Sequence, residues 1–214
     1  MDAMDHSIQE IPASKVKCGA SLGGGGQGDV YEGVWEREKV AIKIMQKMAA
    51  DSPHTKRCLQ EMLVLTRLRH PNIVSVFGIS RQADGSVWLI MELVEGGTLN
   101  DLVERAGGPL PLAEALHYLL ALASALAHTH SKKLAHNDVK GKNVLVTKTT
   151  AKLADFGFVA ILGSGSKTFD FVDQAATDGG ILGTINCTAP ENYSSSLKGF
   201  GEVSQSKHVP RRIF

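Results

Sequence analysis

The hydrophobic pattern of this chain changes period at Gly96-Gly97-Thr98, and that change limits the folds open to it. Upstream, apolar residues alternate as they do in half-buried strands. Val30-Tyr31-Glu32-Gly33-Val34-Trp35 shows period two, Glu36-Arg37-Glu38 reads as a hairpin tip, and Val40-Ala41-Ile42-Lys43-Ile44 returns. Val74 to Ile79 and Val87 to Leu93 make a second hairpin across Ala83-Asp84-Gly85-Ser86, where Asp-Gly supplies the turn. One helix, about Pro53 to Arg69, is expected between the hairpins and ends at His70-Pro71. Downstream the pattern turns helical. Thr98 can cap a short helix from Leu99 to about Arg105, and Pro109-Leu110-Pro111 introduces the longest one, about Leu112 to His130. Its LLALASALA core is apolar nearly all round, which predicts burial. Short strands are expected at Leu145-Val146 and Lys152-Leu153-Ala154. The pattern therefore describes an α+β chain: a small antiparallel sheet lobe with one helix over residues 16–93, then a mainly helical lobe over 94–193. Residues 1–15 read as an extension and 194–214 as an irregular tail.

Composition narrows the function classes. With 43% hydrophobic and 21% charged residues and a formal net charge of +1, the chain has no electrostatic case for nucleic acid or an anionic membrane as its main partner. No apolar run approaches the ~18–20 residues that span a bilayer. The start, MDAMDHSIQE, is neither a signal nor a transit peptide. Three well-separated cysteines, Cys18, Cys58 and Cys187, point to free thiols in a cytoplasmic or nuclear setting rather than a disulfide frame.

Three constellations carry chemistry. Gly23, Gly25 and Gly28 form a G-x-G-x-x-G that begins at Leu22-Gly23; glycines admit positive φ and let backbone N–H groups approach phosphates. A plain hairpin turn is the competing reading. A dinucleotide fold is excluded because Val30-Tyr31 continue as a strand instead of opening a helix. Lys43 sits among apolar strand neighbours, either snorkelling to water or paired. Glu61 shares a helix face with Cys58, Leu65 and Leu68, an apolar stripe on which a carboxylate needs a cationic partner; Lys43 is the natural candidate. The third constellation is LAHNDVKGKNVLV, residues 134–146, with Asp155 following in Ala154-Asp155-Phe156-Gly157. Asn143 and Asp155 offer hard oxygen ligands for Mg²⁺, Asp138 can accept a hydroxyl proton, and Lys140 can offset phosphoryl charge. Each of these is also an ordinary loop residue, and His136 alone reads as a packed core histidine.

Taken in chain order, GGGGQGDVY, VAIK, Glu61 nine residues before His70, HNDVKGKN, DFG and Ala189-Pro190-Glu191 resemble the eukaryotic protein kinase catalytic domain. The match covers about Val16 to Glu191, and YEGVW with DVKGKNVLV is most similar to the tyrosine-kinase-like group of serine/threonine kinases. The resemblance implies a two-lobed fold that binds ATP and Mg²⁺ and phosphorylates protein hydroxyls. In it, Leu22, Gly23, Gly25, Gly28, Val30 and Ala41 would line the ATP site, with Met91 at its back, Glu92 to Val94 as hinge and Leu145 as floor. Lys43 would hold the α- and β-phosphates and pair with Glu61. Asp138 would be the catalytic base, Lys140 would contact the γ-phosphate, and Asn143 and Asp155 would hold the metal. The alternative is a non-catalytic nucleotide-binding or interaction module.

Two departures from the family stand out. Asn137 occupies the place of an arginine that commonly receives an activation-loop phosphate, so catalysis without dependence on such a phosphate is expected, whatever happens at Ser164, Ser166, Thr168 or Thr177. After Ala189-Pro190-Glu191 the family continues with further helices, where this sequence has Ser194-Ser195-Ser196 and a basic end. The expectation is an incomplete helical lobe in which the helix at 112–130 lacks partner surface.

Overall fold

A computed structural model describes residues 9–25, 28–45, 68–157 and 159–161. The first part is a five-stranded antiparallel sheet of β1 (Val16–Gly25), β2 (Gly28–Trp35), β3 (Glu38–Met45), β4 (Val76–Arg81) and β5 (Val87–Glu92), in the order β1-β2-β3-β5-β4. The helix expected at 53–69 lies almost wholly outside the described residues. So do Glu61, Ala189-Pro190-Glu191, the Gly/Ser/Thr-rich loop and the tail.

Local chemistry explains the hairpins. Between β2 and β3, Glu36 and Arg37 both take left-handed φ, 49° and 75°. That is the two-residue turn whose twist matches antiparallel strands, built here without the usual Asn-Gly. Between β4 and β5, Gly85 takes φ 84° while Asp84 Oδ1 accepts from the Ser86 N–H (2.8 Å) and hydroxyl (2.7 Å). The strand expected at 74–79 is shifted: Val74 instead donates to Leu153, and β4 begins at Val76.

The pleat sorts the sheet's residues by face. Val40, Ile42 and Ile90 point one way and pack with Ile11 and Val16. Ile11 is 1% exposed and its N–H donates to the Ile79 carbonyl, while the Ile79 N–H donates to the Gln9 carbonyl, so the segment before β1 packs along β4. The opposite face carries Ala41, Lys43, Met45, Leu89 and Met91, with Lys43 directly opposite both Val30 and Leu89.

The second part starts at α1 (Leu99–Ala106). Thr98 caps it as expected, and the cap is reciprocal: the Asp101 N–H donates to the Thr98 hydroxyl while the Thr98 N–H donates to Asp101. Gly107 ends the helix in the left-handed conformation. Then come α2 (Leu112–Ser131), β6 (Leu134–Ala135), β7 (Val144–Val146), β8 (Ala151–Leu153) and β9 (Ala160–Ile161). β7 pairs with β8 and β6 with β9. Tyr118, Ala121, Ala125 and Thr129 of α2 are buried, and Tyr118, Ala121 and Ala125 join Val144, Val146, Leu153 and Phe156 in the main core, which reaches up to Met45 and Leu89.

Burial of α2 all round does not occur. Leu112, Leu116, Leu119 and Leu120 are 74%, 48%, 56% and 69% exposed. A helix apolar on every side gives no sign of which sides a neighbour covers, and these exposures accord with the expectation that the helix at 112–130 lacks partner surface. Among the described residues no helix is long and apolar enough to cross a membrane.

Candidate active site

The stretch 134–146 is held in place from three directions. His136 is 2% exposed; its Nδ1 accepts the Asp138 N–H (3.3 Å), which leaves Nε2–H to donate to the Ala154 carbonyl (3.0 Å). One ring thus ties the loop of Asp138 to the residue before Asp155. Phe156, fully buried, meets that ring edge-on at 4.7 Å. The Ala154 N–H donates to the Asn143 carbonyl at 2.9 Å, closing the same two segments a second time. On the third side Gly141 lies against α1: a Cβ there would meet the Asn100 side-chain oxygen, which would have to turn aside.

Within this frame Asp138 is wholly buried. Its Oδ2 accepts from Lys140 Nζ at 2.7 Å and from Asn143 Nδ2 at 2.9 Å. Asn143 Nδ2 also donates to the Asp138 carbonyl (2.9 Å). With its amide nitrogen so used, Asn143 would offer its Oδ1 to a hard metal. Asn137 has φ 61° and Asp155 φ 64°. Asn and Asp are the L-residues that tolerate this conformation best, so Asn137 suits its backbone where an arginine would be strained.

Lys43, 5% exposed, reaches across from the sheet to Asp155 Oδ1 at 3.3 Å. The partner expected for it, Glu61, lies outside the described residues. Val30, Ala41 and Met91 share the Lys43 face of the sheet. Gly23 (φ 146°) pairs with Val30 and Gly25 with Gly28 (φ 116°), so the glycine hairpin borders that face, with Leu22 half exposed. Across from the sheet, Val144, Val146, Ala151 and Leu153 turn one face of the β7–β8 hairpin into the core, which leaves Leu145 and Lys152 on the other. Val94 follows β5 in the connection to α1. Glu92 ends β5 just before that connection, and its carboxylate is engaged by Lys152 Nζ (2.9 and 3.0 Å) and the Ser75 N–H (3.2 Å).

The structure therefore brings Lys43 onto Asp155, and Asp138 together with Lys140 and Asn143, although these residues are up to 112 positions apart. Two positioning groups escaped the sequence reading. Asn72 fastens β8 through Nδ2 to Thr150 Oγ1 (2.8 Å) and the Ala151 carbonyl (3.0 Å), and Lys152 holds Glu92. In the sequence Lys152 and Glu92 look like ordinary charges at strand ends, and Asn72 like an ordinary loop residue after Pro71.

Burial keeps the His136 imidazole below its ordinary value near 6.5, outweighing the Ala154 hydrogen bond and the nearby carboxylates. His70, stacked on His128 at 5.0 Å, is also lowered, by burial first and then by His128 and Lys152. Both groups have folded pKa values below their unfolded ones. As pH falls through about 6.5 the unfolded chain takes protons first, so stability is complete above that pH and declines below it. The urea midpoint is expected to be lower at pH about 5.5 than at about 7.5; an equal or higher midpoint would contradict the assignment.

Comparison with known proteins gives one family model, described as "Protein kinase domain", over residues 16–199. Serine/threonine-protein kinase PrkC of Bacillus subtilis (strain 168) is 33% identical over 180 residues, covering 82% of this chain and 26% of that protein. Testis-specific serine/threonine-protein kinase 3 of Mus musculus is 37% identical over 149 residues, covering 68% of this chain and 55% of that protein. The chain thus spans about a quarter of the first relative's length and about half of the second's.

Proposed function

This chain belongs to the protein kinase domain family, and on that footing we propose that it transfers the γ-phosphoryl group of ATP to serine and threonine hydroxyls of a protein substrate. The observation that carries the reading is the buried Asp138 carboxylate, fixed by Lys140 and Asn143 beside the Lys43–Asp155 pair.

Each residue has a role that its surroundings support. Asp138 accepts the proton of the attacking hydroxyl. Lys140, within reach of Asp138, balances charge that gathers on the transferring group. Lys43 holds the non-transferring phosphates, and its contact with Asp155 keeps it pointed along the sheet face rather than into water. Val30, Ala41 and Met91 above and Leu145 below offer an apolar slot for adenine, and the glycine hairpin can approach the phosphates closely. Asn143 and Asp155 provide carboxamide and carboxylate oxygens, a donor set that fits Mg²⁺, which favours hard oxygen ligands and retains several waters. When bound, the metal neutralises phosphate charge. The similarity of YEGVW and DVKGKNVLV supports placing the chain near the tyrosine-kinase-like group.

The test is transfer of label from γ-labelled ATP to a generic protein substrate. Transfer is expected to need divalent metal and to vanish in EDTA; transfer that persists in EDTA overturns the metal assignment. Asn137 carries no charge with which to read an activation-loop phosphate, so prior phosphatase treatment is expected to change the rate by less than about two-fold. Loss of activity after that treatment would show that another group senses phosphate.

A further inference from the structure

Glu92 and Lys152 are tied together at the back of the proposed nucleotide site, and nothing in the chemistry above uses their bond. Glu92 is the last residue of β5, directly before the connection between the lobes. Its backbone is already committed: it pairs with Val40 of β3, and its N–H donates to the Ser75 carbonyl (2.9 Å). Its carboxylate then takes both Lys152 contacts and the Ser75 N–H. Lys152 is 15% exposed at its side chain and Glu92 27%, so the pair is partly shielded from water. A carboxylate gripped through both oxygens has little freedom to turn.

The partner's position gives this bond its meaning. Lys152 is the register partner of Leu145 in the β7–β8 hairpin, and directly paired residues project from the same face. Leu145 itself bridges to Thr98, and the Val146 N–H donates to the Gly97 carbonyl (2.9 Å). The floor of the slot is therefore pinned to the connection at its far end by backbone bonds and at its near end by one side-chain pair. Met91 and Ala41, the roof, are register partners one residue before Glu92 and one after Val40.

We infer that Lys152 is a positioning residue that sets the spacing between the floor and the roof of the nucleotide slot by clamping Glu92. The inference rests on the nucleotide-binding reading of that slot. Lys152 touches no reacting group; it acts through the backbone that follows Glu92.

Lys152→Met keeps the length of the side chain and removes its charge. It is expected to speed hydrogen exchange of the amides of residues 93–97 by about five-fold or more, because opening there no longer breaks the clamp. It is expected to raise KM for ATP about ten-fold, equivalent to ~1.4 kcal/mol, while kcat changes less than two-fold. Lys152→Arg, which keeps the charge and can still bind bidentately, is expected to stay within about two-fold of the wild type in both measures. Should Lys152→Met fail to fold, Lys152→Leu takes its place with the same expected results. Unchanged exchange in residues 93–97 overturns the clamp, and so does a fall in kcat at constant KM. If the wild type binds no nucleotide, the functional reading fails while the exchange measurement still decides whether the clamp exists.

Discussion

Asp138→Asn is expected to lower the rate of phosphoryl transfer by about 10²–10⁴-fold, the usual contribution of a positioned general base. The substitution is close to isosteric, and the new carboxamide oxygen can still accept from Lys140 and Asn143, which both donate to Oδ2. Lys140 keeps access to water, its side chain being 25% exposed, so no cation is stranded in the interior. The slot formed by Val30, Ala41, Met91 and Leu145 is untouched. Nucleotide affinity measured by calorimetry should therefore stay within about three-fold while the single-turnover rate collapses. A rate within three-fold of the wild type would remove Asp138 from the chemistry. Nucleotide binding by the wild type with no transfer that depends on Asp138 would identify a binding module instead.

The second large effect concerns stability. Phe156→Ala is expected to cost about 3–5 kcal/mol, and Phe156→Leu under about 1.5 kcal/mol. Phe156 is fully enclosed by the main core and supports the edge of His136. Truncation leaves a cavity in that core and removes the ring packed against His136. Against a total stability of ~5–15 kcal/mol, such a loss is a large fraction. Urea unfolding of the two variants would check it: equal midpoints would mean that the site collapses without penalty and that Phe156 is not a keystone of the loop. The same truncation loosens the tie between Asp138 and Asp155, so the surviving folded molecules should also turn over more slowly.

How much of this was legible in the residues depends on the range of the interaction. The hairpins were readable because alternation and the Asp84-Gly85 turn are local, and so was the Thr98 cap. The left-handed turn at Glu36-Arg37 was located but could not be typed, since neither residue advertises positive φ. Asp138, Lys140, Asn143 and Asp155 were visible as polar residues in apolar surroundings, but only their order along the chain suggested a joint role. The contact from Lys43 to Asp155 depends on how the sheet sits over the second part, which no local pattern encodes. Lys152 and Glu92 looked like ordinary charges at strand ends; their pairing is set by sheet register and by a hairpin sixty residues away. For α2 the burial expected from composition failed, because composition does not report which faces of a helix have neighbours, while the expectation of missing partner surface held.

Those uncovered faces have a consequence for how the protein behaves as a colloid. A formal net charge of +1 supplies almost no long-range repulsion between molecules. Leu112, Leu116, Leu119 and Leu120 meanwhile present an apolar ridge along one helix, where encounters between molecules gain from each leucine withdrawn from water. Sulfate and phosphate strengthen that gain by being excluded from protein surface. Solubility is thus governed by one side of α2 more than by the average polarity of the chain, and the protein should salt out early, with a single Leu→Lys change on that ridge shifting the precipitation point further than the same change made elsewhere on the surface.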